Sequence, residues 1–174
     1  MTASLKEKVP LRVDSSFKKE VLKMPGGNTL KICFQCGSCT ATCPVARFSE
    51  VFRPNRLIHM ARLGLKDLTL SEDTIWLCAA CYTCTERCPQ GVEVKELMRV
   101  FKNLAVKEGK IPKFYEEVGV NLLQSGLAYR VPESRIKRRT SIGLPPLSKA
   151  NTEALKKLAK VTGFSSLIKR GEKD

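Results

Sequence analysis

The sequence predicts an all-α fold, and three observations carry that prediction. Apolar residues recur at three- and four-residue spacings in several separate segments. Those segments are bounded by capping residues, glycine or proline. The 34 residues between two cysteine clusters hold helix signals and few strand signals. At 174 residues the chain suffices for one domain with a real core, or for a compact core with extended arms. A hydrophobic fraction of 43% and a charged fraction of 28% exclude a wholly disordered chain.

The elements follow in order. Asp14 is placed to cap a helix bearing Phe17, Val21 and Leu22, and Pro25, Gly26 and Gly27 then turn the chain. Residues 1–30 read as an accessory N-terminal arm. Pro54 suits a first helical position, Leu57, Ile58 and Ala61 give that helix an apolar face, and Gly64 stands where a C-terminal cap belongs. Ser71 followed by Glu72 and Asp73 reads as an N-cap with acids in the first turn, opening a helix through Ile75, Trp76 and Leu77.

Val94, Leu97, Met98, Phe101, Leu104 and Ala105 define an amphipathic helix over 94–107, ended by Gly109. Pro112 opens another, with Tyr115, Val118, Leu122 and Leu123 on its apolar face and Gly126 at its close. Residues 127–150 hold Pro132, Gly143, Pro145 and Pro146 around the basic run Arg135, Lys137, Arg138 and Arg139, a composition that predicts an extended arm. Asn151 caps a last helix through Leu155, Leu158, Ala159 and Val161, and the tail beyond Gly163 reads as peripheral. The expected organisation is an arm over 1–30, a core over 31–110, and helices with a basic extended arm over 111–174.

The eight cysteines fall into one frame used twice. Cys33, Cys36, Cys39, Cys43 and Pro44 map onto Cys78, Cys81, Cys84, Cys88 and Pro89 at an offset of 45, and Thr40 maps onto Thr85. This reads as an internal duplication about a pseudo-twofold. Each copy is C-x2-C-x2-C-x3-C-P, the [4Fe–4S] run in which three close cysteines wrap one cubane and the fourth serves the other. The expected ligand sets are Cys33, Cys36, Cys39 and Cys88 for cluster one, and Cys78, Cys81, Cys84 and Cys43 for cluster two. Small residues such as Gly37, Ser38, Ala79 and Ala80 permit the tight wrap, and Pro44 and Pro89 turn the chain away after the fourth ligand.

Paired zinc sites and a four-disulfide scaffold are the competing readings of eight cysteines. A third cysteine two residues beyond each pair, followed by C-x3-C-P, favours cubanes over both. With every thiol used as a ligand none is left as a nucleophile, and no Gly-x-Gly-x-x-Gly fingerprint offers a nucleotide site. No catalytic residue is expected, and the chain reads as an electron carrier. Phe34 and Tyr82 lie inside the two cysteine loops and Ile32 and Leu77 precede them, all placed to exclude water, a position that plain core packing explains equally well. Trp76 reads as a packing anchor and His59, the single histidine, as a structural residue.

The net charge is +14, with 15 basic against 7 acidic residues in 107–174. That surplus suits an acidic partner surface or nucleic acid. Few aromatic residues, 6%, argue against stacking on single strands, so nucleic acid is not the expected partner. Residues 1–10 carry lysines and a glutamate where a secretory apolar region belongs, and no apolar stretch is long enough to span a membrane. A cytoplasmic protein is expected, with cysteines serving as metal ligands.

The runs Cys33-Phe-Gln-Cys-Gly-Ser-Cys-Thr-Ala-Thr-Cys-Pro-Val, Arg53-Pro-Asn-Arg-Leu-Ile-His-Met and Trp76-Leu-Cys-Ala-Ala-Cys-Tyr-Thr-Cys-Thr-Glu-Arg-Cys-Pro resemble the C-type subunit of heterodisulfide reductase over about residues 30–110. The resemblance implies an α-helical ferredoxin core. It implies a relay passing electrons from a flavin- and iron–sulfur-containing A-type subunit to a cysteine-rich, catalytic B-type subunit, which reduces the mixed disulfide of coenzyme M and coenzyme B in methanogens. Flavin-based bifurcation, and a hydrogenase or formate dehydrogenase as further partner, belong to the same expectation. The alternative keeps the two-cluster relay and changes its terminals to a sulfur-metabolism, succinate, glycolate or quinone-linked system.

Overall fold

A computed structural model describes residues 12–147 and 150–168, and among these the regular elements are all helical. The chain divides between Lys110 and Ile111 into two compact units.

The first unit holds α1 (Phe17–Lys23), a 3-10 turn (Asn28–Ile32), α2 (Ser38–Ala41), α3 (Pro54–Arg62), α4 (Lys66–Thr69), α5 (Glu72–Ile75), α6 (Thr83–Glu86) and α7 (Val94–Lys107). Its centre is α7, whose three- and four-residue apolar spacing buries Val94, Leu97, Met98, Val100, Phe101, Leu104 and Ala105. Full burial of a Val, Leu, Met or Phe side chain contributes about 1.5–3 kcal/mol, so this one face anchors the unit. It ends where Gly109, at φ 75°, lets the Lys110 N–H turn back to the Ala105 carbonyl at 2.9 Å. Packed against it, α3 starts on Pro54 and buries Leu57, Ile58 and Ala61.

The front of the chain differs from the expected accessory arm. Phe17 and Val21 of α1 are fully buried in the same core, because the apolar pair one turn apart meets α3. Asp14 acts from outside the cap position. Its Oδ1 accepts the Ser16 N–H at 2.9 Å and the Ser16 hydroxyl at 2.6 Å, contacts that lower its carboxyl pKa, and Ser16 occupies the N-cap. The Asp14 N–H in turn donates to the Gly64 carbonyl at 2.8 Å, joining the chain front to the end of α3. Lys66 reaches Glu108 at 2.5 Å and Glu20 at 3.4 Å, tying α4 to α1 and to the end of α7. The expected helix after Ser71 is a single turn, and the expected role of the Glu72 and Asp73 side chains lies outside the described residues, as do residues 1–10.

The second unit holds α8 (Lys113–Ser125), α9 (Glu133–Ser141), α10 (Thr152–Val161) and α11 (Phe164–Ile168). On α8 the buried residue is Gly119, where a Cβ would lie 2.5 Å from Ile168 Cδ1, while Tyr115, expected on the buried face, is exposed. Asn151 caps α10, its Oδ1 accepting the Ala154 N–H at 3.1 Å. The segment expected as an extended arm contains α9. Its prolines and glycines lie outside 133–141, Glu133 stands in the first turn and Arg138 and Arg139 in the last, an order that complements the helix dipole. It buries no residue, so it is a helix without a packed face. The turn after Gly163 forms α11, contributing buried Ile168 where a peripheral tail was expected.

Candidate iron–sulfur centre

The two cysteine loops have matching backbones. Gln35 and Ala80 both take positive φ, 64° and 53°, and so do Gly37 and Tyr82, 81° and 62°. These left-handed residues let the chain fold around its own thiols before the one-turn helices α2 and α6. The hydrogen bonds repeat as well: Thr40 N–H to Gly37 O at 2.9 Å against Thr85 N–H to Tyr82 O at 2.8 Å, and Cys43 N–H to Thr40 O against Cys88 N–H to Thr85 O, both 3.2 Å. The Cys36 thiol meets the Ser38 hydroxyl at 3.3 Å, and the Cys81 thiol meets that of Thr83 at 3.4 Å.

The following helices carry the correspondence further, through the threonines shared by both motifs. Thr40 Oγ1 accepts the N–H of Asn55, second residue of α3, at 3.0 Å, and Thr85 Oγ1 accepts that of Lys95, second residue of α7, at 3.1 Å. At the ninth residue of each helix a cation grips the motif's first cysteine: the Arg62 guanidinium donates to the Cys33 carbonyl, and Lys102 Nζ to the Cys78 carbonyl at 3.2 Å. Sequence reasoning found the shared threonines but not these partners, because the motifs are offset by 45 residues and the helices by 40. Aligning helix starts at Pro54 and Val94 is the signal that reveals them.

Two recesses result. One is lined by Cys33, Cys36, Cys39 and Cys88 with Asn55 and Ile58, and the other by Cys78, Cys81, Cys84 and Cys43 with Lys95 and Met98. The last cysteine of each motif thus stands beside the three of the other. The recesses are alike in size, about 330 and 350 Å3 between atoms with open solvent included. Among the described residues, no three His, Cys, Asp or Glu side chains are drawn together closely enough to hold a single metal ion. Four thiols about a recess are the donor set that a [4Fe–4S] cluster takes.

The electrostatics of the thiols repeat too. Burial pushes Cys39 and Cys84 up to about 11, whereas the hydroxyls of Ser38 and Thr83 lower the exposed Cys36 and Cys81. Lys102 is lowered by burial, its ammonium lying 5.4 Å from the centre of the Trp76 ring. Gln35 Nε2 donates to Cys33 Sγ at 3.2 Å, and the Val92 N–H to Cys88 Sγ at 3.3 Å. Phe34, Ile32, Leu77 and Tyr82 are all partly solvent-exposed, so the motifs lie near the surface. Trp76 packs against the core, and His59 is exposed on α3 and lines neither recess.

A family model described as a 4Fe-4S dicluster domain matches residues 29–92. With eight cysteines in two motifs, it gives two [4Fe–4S] clusters as the cofactors of this chain. The C-type subunit of the H(2):CoB-CoM heterodisulfide,ferredoxin reductase of Methanothermobacter marburgensis is 35% identical over 162 residues, covering 90% of this chain and 86% of that protein. The C2-type subunit of the H(2)/formate:CoB-CoM heterodisulfide,ferredoxin reductase of Methanococcus maripaludis is 38% identical over 146 residues, 80% of this chain and 78% of the relative. The C-type subunit of the Ferredoxin:CoB-CoM heterodisulfide reductase of Methanosarcina mazei is 34% identical over 154 residues, 85% and 94% of the two chains. Identity at this level over most of both chains means that this protein belongs to the family of heterodisulfide reductase C-type subunits.

Proposed function

We propose that this chain is the electron-relay subunit of a heterodisulfide reductase, holding one cluster on Cys33, Cys36, Cys39 and Cys88 and the other on Cys78, Cys81, Cys84 and Cys43. The observation that carries the reading is the pair of four-thiol recesses, each lined by thiols from both motifs. When bound, the clusters supply one-electron transfer. The chain's own residues orient the thiols, and Arg62 and Lys102 place cations against the first cysteine of each motif.

The donor in this reading is a flavin- and iron–sulfur-containing A-type subunit, and the acceptor is a cysteine-rich B-type subunit. Reduction of the CoM-S-S-CoB heterodisulfide takes place on the acceptor, and this chain has no substrate site. A hydrogenase or formate dehydrogenase feeds the assembly, with flavin-based bifurcation at the donor. The relatives' names support a place in such a complex. Exposed apolar residues beside the motifs, among them Phe34 and Phe48, support docking to another protein. Among the described residues no helix is long and apolar enough to cross a membrane.

Anaerobic affinity purification from the native host tests this. Recovery of a flavoprotein and a cysteine-rich protein, with heterodisulfide reduction lost in Cys43→Ser or Cys88→Ser, is the expected result. Recovery of a quinone-reactive or sulfur-oxidising assembly would replace the terminals and keep the relay.

A further inference from the structure

The two recesses match position by position, so the places where they differ are informative. At the second residue of the following helix, α3 carries neutral Asn55 and α7 carries Lys95, and each lines its recess. At the left-handed loop position the first motif has Gly37 and the second Tyr82. These differences are neighbours. Asn55 Nδ2 lies 4.0 Å from where a Cβ on Gly37 would stand, and Lys95 Nζ lies 4.5 Å from the centre of the Tyr82 ring.

Lys95 is held in place and little exposed. Its side chain is 16% accessible, with its ammonium between the Tyr82 ring and Glu96 Oε1 at 3.1 Å. Glu96 also pairs with Arg99 at 2.5 Å, so its carboxylate is divided between two cations, and of these three charged side chains Lys95 is the one that lines the recess. Tyr82 holds φ 62° without being glycine, a conformation that costs energy and recurs at functional sites. Arg62 at the first site and Lys102 at the second are equivalent cations and do not distinguish the two. The first recess has its own devices, the N–H groups of Gln35 and Val92 donating to sulfur.

A cation favours the reduced and more negative state of an iron–sulfur site, and net charge is one of the terms that set its potential. We propose that Lys95, positioned by Tyr82, raises the redox potential of the second recess and sets it apart from the first, where Asn55 stands in its place. This rests on the relay reading and on the ligand grouping proposed above. One electron leaves one recess as one enters the other, so one site is oxidised as the other is reduced, with no bond broken and no proton moved. Lys95 is a positioning residue whose charge adjusts how far the electron favours the second site.

The test is an EPR-monitored redox titration of the full chain, purified anaerobically with both clusters, alongside iron analysis. Lys95→Met is expected to lower one of the two midpoint potentials and leave the other unchanged, and Lys95→Arg to restore it. Asn55→Lys is expected to raise the potential that Lys95→Met left alone, which keeps the proposal testable if Lys95→Met loses iron. Unmoved potentials in Lys95→Met at full iron content, or equal movement of both, would overturn it. The titration needs no partner, so its outcome is independent of the purification that tests the relay.

Discussion

The Thr85 hydroxyl oxygen accepts the backbone N–H of Lys95 at 3.1 Å, joining the second cysteine loop to the start of α7. Helix starts leave N–H groups without intrahelical partners, and a side-chain oxygen that satisfies one is worth about 0.5–2 kcal/mol. Thr85→Ala should destabilise the chain by that order, read as a lower thermal midpoint under anaerobic conditions, and Thr85→Ser should retain most of the stability. Thr40→Ala should act in the same way through Asn55. Equal midpoints for the Ala and Ser variants would remove the capping role.

The crossed lining of the recesses makes a prediction by position. In Cys88→Ser, iodoacetamide should reach Cys33, Cys36 and Cys39, while Cys78, Cys81, Cys84 and Cys43 stay protected by their cluster. Mass spectrometry of the alkylated peptides reads the pattern. Exposure of Cys78, Cys81 and Cys84 instead would assign each cluster to a single motif.

Gly64 is a backbone requirement. It sits at φ 76°, and a Cβ there would come within 2.4 Å of the Asp14 carbonyl oxygen, which belongs to rigid main chain. Gly64→Ala should destabilise by more than the roughly 1 kcal/mol of the left-handed conformation alone, read as a lower midpoint in chemical denaturation. An unchanged midpoint would mean that the Asp14 segment moves away freely.

In the cluster-free chain the thiols should titrate in two classes. Cys39 and Cys84, raised by burial to about 11, favour the neutral form in the folded state. Their contribution to stability is therefore fully present below the ordinary value of 9.0 and lost as pH rises from there toward 11. Cys36 and Cys81 are lowered and exposed, so they should alkylate first near neutral pH. Rates of iodoacetamide labelling against pH check this order, and uniform rates across the four would contradict it.

Much of the helical frame was legible because its signals are local. The bounds of α7 follow from apolar spacing and Gly109, and those of α3 from Pro54 and Gly64. The α9 helix was hidden because Pro132, Gly143, Pro145 and Pro146 dominate the composition of a segment whose interior 133–141 has neither residue type. The core role of Phe17 and Val21 depends on packing against α3, which no local pattern carries. At the site, cysteine spacing marks the eight thiols. The correspondence of Asn55 with Lys95 and of Arg62 with Lys102 is invisible to it, since five residues separate the loop offset from the helix offset. The gripping of the Cys33 and Cys78 carbonyls needs three-dimensional placement.

The crossing of the fourth cysteines bears on how such a protein is loaded with iron. With ligation as proposed, filling the first recess closes the chain from Cys33 to Cys88, and Cys43 and Cys84, the outer ends of the second recess, lie inside that loop. The second closure then occurs within a segment already tethered, and it costs less chain entropy than it would in an open chain. Loading should be cooperative, with half-filled molecules scarce compared with empty and full ones, so the protein enters service as a complete two-station conductor.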